Sequence, residues 1–155
     1  MVVKNPPKLE LLCEYYATLK PPVVVGSGPY GMRQIYDVTG GEVTGERLRG
    51  RVLPSGADWI LVGSDGVGRL DVRAAIETHD GANLYVSYTG VLHMTEKVMQ
   101  AVSGGAKTEF GETYFYVSPR FETGDSRYAW LNGLFLVSQG RLGPLRVEYR
   151  VFEVR

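Results

Sequence analysis

The chain has 155 residues, and its 17 Lys and Arg are balanced by 17 Asp and Glu, so its formal net charge is zero. That balance, without any block of like charge, removes the electrostatic footprint of a nucleic-acid binder and offers no polybasic anchor for a membrane surface. The single cysteine, Cys13, excludes an intrachain disulfide and a thiolate metal cluster. No apolar run approaches a membrane span, and Met1–Pro7 lacks the apolar core of a secretory signal, so a soluble cytoplasmic protein is expected. The length suits one domain over residues 1–155, with 1–7 as a tail.

Period-two alternation begins at once. Leu9, Leu11, Cys13, Tyr15, Ala17 and Leu19 alternate with Glu10, Glu14 and Thr18, the pattern of a half-buried strand in which Cys13 is an inert thiol. Gly26, Gly28 and Gly31 then match the dinucleotide-binding glycine pattern by letter. That motif works only where its glycines open a helix that meets a pyrophosphate. Here Pro29 interrupts it and Met32–Thr39 continues as a strand, so the segment reads as a glycine-rich lip at a barrel mouth. Such a lip could bring Tyr30 and Arg33 over a cavity. Arg47, Arg49 and Arg51 fall on one strand face, read as a solvated outer face rather than a phosphate site. Trp59 follows as an aromatic that packs or lines a pocket.

Leu70, Val72, Ala74 and Ile76 alternate with Asp71, Arg73 and Glu77. Asp71 and Arg73 share a face, which admits two readings: a structural ion pair, or a carboxylate held ionised beside an arginine that binds a ligand oxygen. The second reading places the pair in the lumen and the aliphatic residues outside it. Leu84, Val86, Tyr88 and Leu92 form the next strand, with Tyr85 on its other face as a further aromatic for ligand contact. His79 and His93 are the only histidines and lack metal-ligand spacing, so neither a metal nor a Ser-His-Asp triad is expected. Thr95 can cap a short helix near 95–103, and Gly104-Gly105 stops it.

The stretch Pro119–Asn132 crowds Arg120, Glu122, Asp125, Arg127, Tyr128, Trp130 and Asn132 around a turn at 123–126. With strands on either side, Arg120 and Glu122 share one face and Tyr128, Trp130 and Asn132 another. Buried charge of this density must be paired, wet or engaged with a ligand. Glu122, desolvated by Phe121, Tyr128 and Trp130, is thus a candidate general acid or base, with a salt bridge to Arg120 or Arg127 as the alternative. After Gly143-Pro144, Leu145, Val147, Tyr149 and Val151 alternate once more. About eight to ten strands, Asp-Gly turns and one short helix predict an all-β, predominantly antiparallel closed β-barrel.

Gly40-Gly41, Leu48–Trp59, Leu70–Arg73, Thr78–Gly81, Pro119–Gly124 and Arg127–Asn132 together resemble domain-of-unknown-function family 3237, over roughly Glu10 to Val154. Ser55 and His79 depart from the Gly and Asp expected at those two positions. The resemblance implies a small β-barrel similar in shape to the allene oxide cyclase and dirigent barrels, which hold hydrophobic or phenolic ligands. The expectation that follows is a cofactor-free lyase, isomerase or cyclase acting on an aromatic or polyketide-like carbonyl compound. Glu122, Asp71, Arg73 and Tyr128 are its catalytic candidates, and Arg33, Trp59, Tyr85, Trp130 and Asn132 its substrate contacts. The alternatives are a barrel that binds a hydrophobic ligand without changing it, and a scaffold. A homo-oligomer is expected where flat apolar outer surface needs covering.

Overall fold

A computed structural model describes residues 1–155. Ten strands run β1 Leu9–Leu19, β2 Val23–Gly28, β3 Gly31–Thr44, β4 Gly50–Asp58, β5 Leu61–Val62, β6 Val67–Thr78, β7 Asn83–His93, β8 Phe115–Glu122, β9 Leu136–Gly143 and β10 Arg146–Val154. A helix α1, Glu96–Val102, separates β7 from β8, and a 3₁₀ helix, Ser126–Gly133, separates β8 from β9. Every pairing is antiparallel, in the order β1-β10-β9-β8-β7-β6-β4-β3. β1 also pairs with β3, Glu14 opposite Thr44 through Leu19 opposite Val38, and this contact closes an eight-stranded barrel. β2 folds back on β3 as a hairpin outside the closed path, and β5 bridges β3 and β6.

The alternation read from the sequence sets the barrel wall. Leu70, Val72 and Ile76 on β6 and Leu84, Val86, Tyr88 and Leu92 on β7 are all buried. Their neighbours Asp71, Arg73 and Tyr85 are exposed. The lumen therefore belongs to the aliphatic face of β6, and the Asp71–Arg73 face is the outer one. This reverses the lumenal reading of that pair, for a plain reason: a barrel interior takes the apolar face unless its polar groups find partners.

Two glycines let strands approach where a side chain cannot fit. Gly41 has φ +147°, and a Cβ there would lie 1.9 Å from the Tyr16 carbonyl oxygen; Gly56 has φ +89°, with the Arg73 oxygen equally close. Gly56 ends an irregular stretch in which Val52 to Gly56 of β4 opposes only Ile76 to Ala74 of β6. Such bulges bend a strand and re-aim the residues that follow, here Asp58.

One end of the barrel is filled. Val43, Leu48, Ile76, Leu84, Phe121, Leu136 and Val151 are buried in one continuous core. The 3₁₀ helix closes that end with Tyr128 and Leu131, three residues apart and both buried. A strand was expected over this helix. Asp125 overrides the alternation: its side chain accepts from the Arg127 N–H at 2.9 Å as an N-cap, and the three-residue spacing of buried groups is that of a 3₁₀ turn. The helix expected near 95–103 forms as α1, with Thr95 accepting from the Val98 N–H. Seven residues long, it is far too short to cross a membrane, and no other helix is long and apolar enough to do so.

Candidate active site

The other end of the barrel is open. Ala17 and Leu19, Val38, Ile60, Leu70 and Val72, Leu92, Phe115 and Leu142 wall a cavity of about 100 Å³ that opens at a rim of Val62, Val102 and Leu145. For scale, a dry cavity of roughly 150 Å³ accommodates benzene. The enclosed space is about two-thirds of that, so an aromatic ligand would sit partly in the open mouth. Leu145 has φ +49° in the Pro144-Leu145 turn, where glycine is the usual occupant. That conformation costs a leucine about 1–2 kcal/mol and holds its side chain at the rim.

The floor is aromatic. The Tyr149 ring lies 5.1 Å from Tyr15, 5.5 Å from Tyr88 and 5.4 Å from Phe115, the last two edge-on. Stacking of this kind fixes ring positions as well as burying area. Burial raises the pKa of all three tyrosines, so their hydroxyls remain protonated. The buried Tyr15 hydroxyl has no hydrogen-bond partner.

Beyond the floor tyrosines, few polar side chains line the cavity. Gln34 and Tyr36 of β3 and Asp58 at the end of β4 face it, while Arg146 stands at the rim, stacked 3.7 Å over Tyr16 and paired with Glu148. Asp58 is the distinctive group. Its Oδ1 accepts only the Asp71 backbone N–H, at 3.2 Å, and no cationic side chain contacts its carboxylate. The Arg33 guanidinium is turned away to the Trp59 carbonyl oxygen, at 2.6 Å. Burial therefore dominates and pushes the Asp58 carboxyl from 3.8 up to about 7; the Asp71 N–H opposes the rise, Asp71 charge adds to it, and Arg33 opposes it. A carboxyl at about 7 is half protonated near neutral pH, the condition in which one group can both give and take a proton.

The residues singled out from the sequence divide among three places. Asp71, Arg73 and Trp59 lie on or near the outer wall beside β4, with the Arg73 guanidinium 5.9 Å from the Trp59 ring. Glu122, Tyr85 and Asn132 share an outer groove, with Tyr85 directly across from Glu122. Asn132 pins the loop before the 3₁₀ helix through two 2.9 Å hydrogen bonds to the Thr123 backbone. Tyr128 and Trp130 belong to the closed end: the Tyr128 hydroxyl donates to Asp80 at 2.7 Å, and Arg47 stacks 4.1 Å over Trp130. The catalytic candidates Asp71, Arg73, Glu122 and Tyr128 and the contacts Trp130 and Asn132 thus do not share one cavity, because strand phase sends the charged ones outward. The signal for Asp58 was available in the sequence. It sits between Ala57 and Trp59 after the glycine bulge, and Asp58 and Ile60 both fall on the inner face.

The chain matches the family "Protein of unknown function (DUF3237)" over residues 7–154. It belongs to that family. A UPF0311 protein of Rhodopseudomonas palustris is 38% identical over 112 residues, 72% of this chain and 73% of that protein. A crystal structure of a conserved protein of unknown function from R. palustris superposes with a TM-score of 0.89 at 29% identity, covering 98% of this chain and all of that one. More distantly, the hydroalkoxylation enzyme phnH of Penicillium herquei is 26% identical over 130 residues, 84% of this chain and 72% of that enzyme. A crystallised enzyme from P. herquei shares the fold, with a TM-score of 0.72 at 23% identity over 100% of this chain and 99% of that one.

Proposed function

We propose that this barrel is a cofactor-free acid–base catalyst that adds a hydroxyl group across a carbon–carbon double bond, or reverses or isomerises such an adduct. Its substrate is a small aromatic or polyketide-like carbonyl compound held in the open cavity. The observation that carries this reading is Asp58: a carboxyl in an apolar cavity, unpaired with any cation and poised at about 7. The relationship to a hydroalkoxylation enzyme supports the reaction class.

The chemistry is redox-neutral and balances internally. The carboxylate of Asp58 takes the hydroxyl proton as the oxygen forms its bond to one alkene carbon; the resulting carboxylic acid returns that proton to the other carbon. One C–O bond and one C–H bond form, and the π bond is lost. Where the alkene is conjugated to a carbonyl, negative charge develops on the carbonyl oxygen in between, and the Tyr88 or Tyr149 hydroxyl at the floor can donate to it. The hydrocarbon walls exclude water and so favour ring closure over hydration.

An ortho-hydroxyaryl enone tests this in D₂O. The expected result is accelerated ring closure with deuterium delivered to one face of the carbon next to the carbonyl. Asp58→Asn should lower the rate by about 10²–10⁴-fold while the probe still binds. Wild-type acceleration by Asp58→Asn would remove Asp58 from the chemistry, and loss of rate in Glu122→Gln alone would move the catalytic carboxylate to the outer groove. Binding without turnover in any variant is the outcome expected of a ligand carrier.

A further inference from the structure

The outer wall around the closed end carries a surface that the cavity does not explain. Leu11, Phe152 and Val137 stand in register on β1, β10 and β9, and each points outward, away from the buried residues beside it. A second row continues it: Leu9 opposite Val154, whose N–H bonds the Phe135 carbonyl at 3.0 Å. Leu9, Leu11 and Phe135 are 59%, 53% and 59% exposed. Elsewhere the same wall carries ion pairs such as Arg51–Glu77, Arg141–Glu148 and Arg150–Glu14.

Phe135 joins these rows to the groove, about 550 Å³, that holds Tyr85, Arg120 and Glu122. Arg120 and Glu122 lie two positions apart on the outer face of β8, and neither has an ion-pair partner within the chain. An apolar patch bordered by an unpaired cation and an unpaired anion is complementary to itself. We propose that a second copy of this chain docks on this face about a two-fold axis, packing Phe135, Leu11 and Phe152 against their counterparts and setting Arg120 of each copy against Glu122 of the other. A two-fold contact of this kind uses one patch twice, and a net charge of zero leaves no overall repulsion to oppose it. The face surrounds the closed end of the barrel, so both cavity mouths stay free.

Sedimentation velocity of the whole chain at micromolar concentrations tests the assignment. Wild type should sediment as a dimer, and Phe135→Asp as a monomer with unchanged circular dichroism. Arg120→Glu and Glu122→Arg should each weaken association by about tenfold or more, since each sets like charges together. The double variant Arg120→Glu/Glu122→Arg should recover it, a rescue that a general loss of stability cannot produce. A monomeric wild type overturns the proposal. So does a dimer indifferent to Phe135→Asp, or charge reversals whose combination is no better than either alone.

Discussion

Asp58→Asn should make the protein more stable, by an amount that depends on pH in a predictable way. In the folded chain the Asp58 carboxyl titrates at about 7, against an ordinary value of 3.8. Between those values the native state holds a proton that the unfolded chain has already released. Stability therefore falls as pH rises, by at most about 1.4 kcal/mol per pH unit, and the loss is complete above the folded value. Three units of difference amount to roughly 4 kcal/mol, the cost of burying the carboxylate with only one N–H to satisfy it. Asparagine is uncharged throughout and keeps an oxygen for the Asp71 N–H. The two proteins should thus have similar stability near pH 4 and separate progressively, until the variant leads by up to about 4 kcal/mol near pH 8. For a chain of this length that is a difference in Tm of roughly 8–16 °C. The carboxylates whose values are depressed, Asp65, Asp80, Glu112, Asp125 and Glu148, act in the opposite sense and below this window, so they cancel between the two proteins. Thermal melts of both proteins from about pH 4.5 to 8 supply the test. Parallel curves would refute the reasoning, because they would mean that water or a shifted cation solvates the carboxylate.

Three further perturbations probe the frame around the site. Gly56→Ala should lower Tm by roughly 4–8 °C or more, since it combines an unfavourable positive φ with a backbone collision costing at least about 2 kcal/mol; an unchanged Tm would show that β4 can slide. Tyr128→Phe removes the hydroxyl that donates to Asp80 and should cost about 1–2 kcal/mol in denaturant unfolding while leaving cavity ligands bound as before. Leu145→Gly relieves left-handed strain and opens the rim, so Tm should hold or rise slightly while affinity for an aromatic probe falls; tighter binding would place the leucine as an obstruction rather than a wall.

Strand phase explains what the sequence showed and what it hid. Leu84, Val86 and Tyr88 declare both a strand and its inner face, because a barrel buries one face along its whole length. The short helix was legible from Thr95 and Gly104-Gly105 for an equally local reason, a cap and a stop. The 126–133 segment was not. Tyr128, Trp130 and Asn132 alternate like a strand, but the Asp125 cap and the burial of Leu131 make it a 3₁₀ plug. Asp71 and Arg73 drew attention as charges in an alternating run, yet alternation alone names two faces and leaves open which one is inside. The burial of Leu70, Val72 and Ile76 decides that, because a barrel interior takes the apolar face unless its polar groups find partners.

The same consideration separates Asp58 from every other carboxylate here. An exposed Asp71 or Glu122 costs the fold little, and the ionised carboxylates of Asp80 and Asp125 are welcomed by the Tyr128 hydroxyl and the Arg127 guanidinium. Asp58 alone is taken from water into an apolar cavity without a cation to meet it. A penalty of about 4 kcal/mol is a large share of the 5–15 kcal/mol by which domains are typically stable. Folding gives no reason for it, since a neutral residue of the same shape would serve β4 as well. The proton transfer proposed above would supply one. On that proposal, removing the carboxyl separates two quantities that usually fall together: stability at neutral pH rises, while turnover drops by about 10²–10⁴-fold.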